Sequence, residues 1–131
     1  MHVRNMILYL GTFFLLAAAF MWATYDPDLA SGERSELMEA YKNHHKNVWP
    51  EIIESIKDSG IHRLEIFQVE NRLFMIMETN DTFSFEEKSK KDSKNLKVQE
   101  WENLMWKYQK ALPNSKKGEK WVLMEKIYEM K

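Results

Sequence analysis

The 131-residue sequence predicts an α+β fold whose elements follow the order β-α-β-β-α-β. Two strand-like runs lie next to each other in the middle of the chain, and a helical pattern flanks this pair on each side. A further strand-like run, "WVLMEKIYEM" at 121–130, ends the chain. This order is that of the ferredoxin-like sandwich, in which helices cover one face of an antiparallel sheet. The length suits one domain with a single core.

The first strand must come from an apolar tract near the N-terminus. Residues 6–22, "MILYLGTFFLLAAAFMW", carry no charged side chain and follow a weakly positive start, as in a signal peptide or a short membrane anchor. The element order instead predicts a strand in the back half of the tract, "AAAFMWATYD" at 17–26. We therefore expect an apolar extension at 1–17 and one domain at 18–131. Membrane targeting through 6–22 stays open beside this prediction.

A loop at 25–35 precedes the first helical pattern, which begins at Leu37 with Ser35 as the predicted N-cap. Pro50 marks a local restart of the helix, because proline is tolerated in a first turn but not in a helix interior. Gly60 is the predicted C-terminal stop. The runs 62–69 and 72–79 then form a hairpin, and the second run is apolar on both faces, which predicts a central strand.

The second helical segment begins at "SFEE", 84–87, which fits the capping box. A helix is predicted over roughly 98–112, ending before Pro113. Its apolar stripe consists of Val98, Trp101, Met105, Tyr108 and Leu112. Trp106 lies about 140° from Trp101 around the helix and is therefore off this stripe. A flat aromatic ring there suits an interface or the wall of a carbohydrate pocket, and incidental partial burial is the open alternative.

Two adjacent histidines occupy the first helix. His45 falls within the apolar face, four residues after Tyr41, so the two side chains can touch. An imidazole facing a core must be hydrogen-bonded or functional, and both alternatives stay open. His44 lies at the edge of that face and is expected to be solvated, as are His2 and His62. Adjacent helical residues point about 100° apart, so the histidine pair does not chelate a metal.

Composition excludes several classes of function. The chain has no cysteine, which excludes thiol chemistry and disulfides. A net charge of −1 gives no electrostatic footprint for nucleic acid. The lysine-rich run "KSKKDSKNLK" at 88–97 has acidic residues on both sides and is expected to be a solvated segment.

Over roughly residues 35–130 the sequence resembles the L-rhamnose mutarotase family. The resemblance rests on "YKNHHKNVWPEI" at 41–52, "SG" at 59–60, "NRLFMIMET" at 71–79, "WKY" at 106–108, "LP" at 112–113 and the terminal run. It implies a ferredoxin-like fold of the dimeric α+β barrel type, a homodimer without cofactor or metal, and a cytoplasmic location. The implied activity is interconversion of the α and β anomers of L-rhamnose in rhamnose catabolism.

The resemblance also implies site residues. The family's proton donor falls on His45 and a substrate-contacting tyrosine on Tyr41. A pair of substrate-contacting aromatics falls on Met105 and Trp106, and the contact of Met105 is the weaker prediction because it is not aromatic. Another sugar-contacting position, often tyrosine, falls on Leu64, and its role is not carried over. Mutarotation needs an acid/base group with a pKa near neutrality, which suits histidine. No residue is identified as the partner base.

Two other functions remain open at this point. The apolar N-terminus suits a membrane-tethered dimer that binds a sugar or a partner without catalysis. A dimeric ferredoxin-like oxygenase is the second alternative. The protein would be anchored or exported if residues 6–22 act as a targeting segment. The sugar itself is not fixed, since L-rhamnose, L-fucose and related 6-deoxy sugars differ only in hydroxyl orientation.

Overall fold

The computed structural model describes residues 4–6, 18–22, 31–112 and 115–131. Its strands are β1 (Arg4–Met6), β2 (Ala18–Trp22), β3 (Ile61–Val69), β4 (Arg72–Thr79) and β5 (Val122–Leu123). Its helices are α1 (Ser31–Lys46), α2 (Pro50–Asp58), α3 (Phe85–Lys94) and α4 (Leu96–Met105). From β2 onwards this is the predicted β-α-β-β-α-β order, with each helical segment divided in two. The predicted α+β, ferredoxin-like class is confirmed.

The sheet is antiparallel, and β4 lies at its centre. β3 pairs with one side of β4, from Ile61 opposite Thr79 to Val69 opposite Arg72. β2 pairs with the other side, and β5 pairs with the outer edge of β2. The resulting order β3-β4-β2-β5 is that of a ferredoxin-like sheet. The prediction that 72–79 forms a central strand, apolar on both faces, is confirmed.

The apolar tract contributes directly to this sheet. β2 lies within the stretch 17–26 in which the first strand was predicted. β1, which was not predicted, also pairs with β4. It pairs on the same side as β2 but further along β4, with Arg4 opposite Thr79. The remainder of 1–17 and residues 23–30 lie outside the described residues, so the boundary at 17 and the targeting role of 6–22 stay predictions. Within the described ranges, no helix is long and apolar enough to cross a membrane.

The helix boundaries follow local chemistry, with one correction. Pro50 is the first residue of α2, and Trp49 before it has an extended backbone, which confirms the predicted break. The predicted N-cap at Ser35 is wrong, since α1 already begins at Ser31. No proline separates Ser31 from Leu37, and a serine inside a helix costs only a fraction of a kcal/mol, roughly 0.5. The helix therefore extends one turn further back than the apolar pattern indicates.

The second helical segment shows the predicted start and a different end. The Ser84 hydroxyl accepts a hydrogen bond from the Glu87 amide at 3.3 Å, which confirms the N-cap. Asn95 interrupts the segment and caps α4, accepting from the amides of Lys97 and Val98. The prediction that this helix continues to 112 is wrong, because α4 ends at Met105. The amides of Lys107 and Tyr108 then bond three residues back, to the carbonyls of Leu104 and Met105 at 3.1 and 3.0 Å, and so form tighter turns.

The C-terminal strand is much shorter than predicted. Only Val122 and Leu123 pair with β2, whereas the sequence pattern predicted a strand over 121–130. A strand needs a hydrogen-bonded neighbour, and the described part of the chain offers none to residues 124–131. Their apolar side chains are consequently exposed, Ile127 by 92%.

The core lies between the helices and one face of the sheet. Its main cluster draws on both the helical layer and the sheet and contains Tyr41, Ile52, Leu73, Val98, Trp101 and Met105. A second cluster forms around Ile61 and Met77. The core thus brings α1 and α4, which carry the predicted site residues, against the same sheet face.

Candidate functional site

A cavity of about 530 Å³ lies between the helices and the sheet. All four predicted site residues line it: Tyr41, His45, Met105 and Trp106. Glu102, Gln109 and Lys120 line the same cavity, and none of these three was predicted. Leu64 also lines it, although its side chain has no hydrogen-bonding group. The fold therefore gathers residues from α1, α4 and the segment before β5 around one space.

His45 is fixed through one ring nitrogen. Its Nδ1 lies 2.9 Å from the main-chain carbonyl oxygen of Tyr41. A carbonyl only accepts hydrogen bonds, so Nδ1 carries a proton and donates it. The imidazole also packs against the Tyr41 ring at 4.2 Å and against the Trp101 ring at 5.6 Å, measured between centroids. Nε2 bonds to no other residue among those described, and it is therefore the nitrogen left for proton exchange.

The surroundings of His45 favour its neutral form. Burial lowers the pKa of His45 below its ordinary value of about 6.5. The bond to the Tyr41 carbonyl acts in the opposite direction, and the neighbouring His44 adds a small lowering of this pKa. The net result is an imidazole that is uncharged at neutral pH. With its proton on Nδ1, such a ring presents the Nε2 lone pair, which is a base.

The hydroxyl of Tyr41 is buried and has a defined partner. The Gln109 side-chain amide donates to it over 3.0 Å, and both residues are buried. Burial raises the pKa of Tyr41 far above its ordinary value, so the phenol stays protonated at any physiological pH. Since Gln109 occupies an acceptor position, the O–H proton of Tyr41 is left to act as a donor.

His44 is not the solvated residue that the helical wheel predicted. Its ring is half-buried, and Nε2 lies 3.1 Å from the Tyr108 hydroxyl. It also meets the edge of the Trp101 ring at 6.5 Å between centroids. Both aromatic partners belong to the segment that includes α4 and the turns after it. The pattern of α1 alone could not place them there. His62 is exposed, as predicted, and His2 lies outside the described residues.

The two residues at the end of α4 differ in their exposure. Met105 is only 3% exposed and is part of the core as well as the cavity wall. Trp106 is half-buried, and the Lys120 ammonium lies 5.0 Å from its ring centroid. Trp106 therefore departs from the apolar stripe as predicted, and one of its neighbours is a buried cation.

Lys120 lies in the segment before β5, and no pattern in the sequence marks it as a site residue. Its side chain is buried, forms an ion pair with the Glu102 carboxylate, and donates to the Glu102 carbonyl at 3.0 Å. Glu102 and Gln109 were not predicted either. Each comes four residues after a member of the apolar stripe, Val98 or Met105, and so lies at the edge of that stripe, where a polar side chain is ordinary. In the parts of the chain that are described, no group of three His, Asp or Glu residues could hold a metal ion.

Comparison with known proteins finds similarity to sugar mutarotases. A family model described as L-rhamnose mutarotase matches residues 28–130. An L-fucose mutarotase from Xanthomonas campestris pv. campestris is 41% identical over 87 residues, which cover 65% of this chain and 70% of that protein. An L-rhamnose mutarotase from Bacillus subtilis is 38% identical over 65 residues, covering 48% of this chain and 59% of that protein.

A solved structure supports the fold independently. The crystal structure of an L-rhamnose mutarotase from Formosa agariphila aligns with a TM-score of 0.58 at 22% identity. The alignment covers 87% of this chain and 96% of that chain. None of these matches favours the oxygenase or the tethered, non-catalytic module.

Proposed function

Because the chain belongs to the L-rhamnose mutarotase family, we propose that it interconverts the α and β anomers of a 6-deoxyhexose, either L-rhamnose or L-fucose. The relatives named above include a protein for each of these sugars. The observation in this chain that carries the proposal is His45. One nitrogen of its ring is held by a main-chain carbonyl, and the other has no bonding partner among the described residues, in a side chain that lines the cavity.

The proposed reaction uses Nε2 of His45. Nε2 takes the proton of the anomeric hydroxyl, and the electron pair of that O–H bond becomes the second C1–O1 bond. The C1–O5 bond breaks, and its electron pair stays on the ring oxygen O5. The imidazolium formed at His45 then donates its Nε2 proton to O5, which makes His45 the proton donor. Rotation about C1–C2 presents the other face of the aldehyde, and the same steps in reverse close the ring.

This sequence of steps assigns both proton transfers to one residue. O1 and O5 are bonded to the same carbon, so one imidazole can reach both in turn. The lowered pKa of His45 suits this order, since a neutral ring must accept a proton before it can donate one. The partner base that the sequence left unidentified is then His45 itself.

The other predicted site residues bind the sugar in this proposal. The Tyr41 hydroxyl, whose oxygen already accepts from Gln109, donates its proton to a sugar hydroxyl. Trp106 forms a wall against the apolar C–H face of the ring. Met105 supplies a softer apolar contact beside it, which replaces stacking with ordinary van der Waals packing.

The activity is tested by NMR saturation transfer between the α and β anomeric protons. The wild-type protein is measured with L-rhamnose and with L-fucose at equal concentrations, and buffer without protein gives the uncatalysed exchange. We expect exchange well above the buffer rate for at least one of the two sugars, and the faster one identifies the substrate. Exchange at the buffer rate for both sugars would overturn the proposal.

We also propose that the protein is a homodimer, with the C-terminal segment as part of its interface. Residues 124–131 continue a strand-like sequence beyond β5 but have no paired neighbour among the described residues. Ile127, Tyr128 and Met130 are 92%, 76% and 76% exposed. A second copy of the chain would supply the missing strand partner and cover these side chains.

Light scattering after size-exclusion chromatography tests the dimer across a range of concentrations. The variant Ile127→Asp/Met130→Asp should shift the protein from dimer to monomer, because a charge cannot be buried unpaired at low cost. Leu96→Asp is the matched control, since Leu96 is apolar and 80% exposed but lies on α4. A monomeric wild type, or a double variant that stays dimeric, would contradict this assignment.

We infer a cytoplasmic location from membership of the same family. Separation of cells producing the full chain into soluble and membrane fractions tests this inference, together with the intact mass of the protein. Recovery in the membrane fraction, or loss of residues within 6–22, would contradict it.

A further inference from the structure

Lys120 is a buried cation whose ammonium bonds, among the described residues, to Glu102 alone. Only 6% of it is exposed, and lysine is among the residues least often buried. Its Nζ meets the carboxylate and the main-chain carbonyl of Glu102, and it lies over the Trp106 ring. Burial lowers the pKa of Lys120, and the Glu102 carboxylate opposes this by favouring the charged form.

A buried ion pair is weak evidence of a stabilising role. A buried ion pair is frequently no more stabilising than well-packed apolar residues of the same size, because both charges lose their hydration. Lys120 and Glu102 are also placed where a ligand would reach them, in the wall of the cavity that contains Tyr41 and His45. The Glu102 side chain is still 43% exposed, which leaves part of its carboxylate accessible.

The pair has unused hydrogen-bonding capacity. An ammonium group has three N–H donors, and the described residues offer it two oxygen acceptors, both on Glu102. Oε2 of Glu102 is the oxygen in the ion pair, and Oε1 has no bonding partner within the described ranges. One donor and one acceptor therefore remain side by side next to the Trp106 ring.

We propose that Lys120 and Glu102 together bind two neighbouring hydroxyl groups of the sugar, beside the wall formed by Trp106. This inference rests on the proposed function, because it takes the sugar of the mutarotase reaction as its ligand. Lys120 donates its third N–H to one hydroxyl oxygen, and Glu102 Oε1 accepts the proton of the next hydroxyl. A vicinal diol satisfies both groups at once, and its geometry then contributes to the choice of sugar.

The test measures the sugar-concentration dependence of anomer exchange in Lys120→Met, which keeps the unbranched shape of the side chain, one atom shorter, and removes its charge. Loss of a hydrogen bond to a charged donor is expected to raise KM about 10- to 100-fold. The value of kcat should change little, since the diol contact is made equally in the ground state and the transition state. A deoxy analogue of the sugar lacking the contacted hydroxyl should bind wild type and Lys120→Met equally.

Lys97→Met is the matched control. Lys97 also pairs with a glutamate, Glu100, and lies over a tryptophan ring, Trp49, at 5.7 Å from its centroid. It is exposed and does not line the cavity, so its replacement should leave KM unchanged. Glu102→Gln is the second test variant, and it should also raise KM. It keeps the inference testable even where Lys120→Met does not fold.

The outcomes separate this inference from the proposed function. A normal KM in folded Lys120→Met and Glu102→Gln, with a lower melting temperature, would assign the pair a structural role and overturn the inference. Wild type that binds the sugar by tryptophan fluorescence without exchanging its anomers would overturn the mutarotase proposal. In that case, weaker binding by Lys120→Met would still support the diol site. Wild type that neither binds nor exchanges either sugar would overturn both.

Discussion

The hydrogen bond between Gln109 and the Tyr41 hydroxyl yields a quantitative prediction for Gln109→Leu. Both residues are buried, and the donor and acceptor atoms are 3.0 Å apart. Leucine fills most of the space of glutamine but leaves the buried hydroxyl without its donor. Such a loss costs about 1–3 kcal/mol, and for a domain of this size it lowers the melting temperature by roughly 3–12 °C.

The double variant Tyr41→Phe/Gln109→Leu isolates the bond itself. Removing both partners leaves no unsatisfied group, so the double variant should lose about 1 kcal/mol less than the sum of the two single losses. Urea unfolding at a fixed protein concentration measures all four proteins, and an unchanged m-value shows that the folded and unfolded states are comparable. Losses that simply add would refute the reasoning, because they would mean that the two side chains do not interact in solution.

Three further predictions concern pH, a turn and a helix cap. The pKa of His45 is lowered and its neutral form is the active one, so kcat/KM should be constant around neutral pH and fall on acidification with a midpoint below about 6.5. A rise in kcat/KM on acidification would contradict this order of proton transfers. Gly60→Ala should cost about 1–3 kcal/mol in urea unfolding, since its φ is +87° and an added Cβ would lie 2.5 Å from Asn80 Oδ1. Gly118→Ala, with φ +83° and open space around it, should cost clearly less. Ser84→Ala should lose about 1 kcal/mol and Ser84→Asp almost none, and equal losses in the two would exclude the cap.

The parts of the fold that were predicted correctly depend on local sequence. The β3–β4 hairpin follows from two strand-like runs separated by two residues, and the start of α2 follows from Pro50 at its first position. The Ser84 cap is likewise a contact across three residues. The length of the C-terminal strand was overestimated, because a strand-like pattern carries no information about whether a neighbouring strand is present to pair with it.

The candidate site shows the same difference between contacts within one segment and contacts between distant segments. Tyr41 and His45 are four residues apart on one helix, so their contact could be predicted from spacing. The partner of the Tyr41 hydroxyl lies 68 residues away, and Lys120 and Glu102 are 18 residues apart. The first pairing exists only because the fold packs the second helical segment against α1. The second exists because the fold packs the segment before β5 against α4. His44 was misjudged for this reason, since its covering rings come from that distant segment.

The proton-transfer role of His45 is best measured by anomeric saturation transfer with wild type, His45→Gln and His44→Gln side by side. Glutamine occupies a similar volume, and its amide can still donate to the Tyr41 carbonyl, but it cannot exchange protons at neutral pH. We expect His45→Gln to lose about 10²- to 10⁴-fold in exchange rate, whereas His44→Gln keeps most of the wild-type rate. A folded His45→Gln that equilibrates the anomers as fast as wild type would contradict the role assigned to His45.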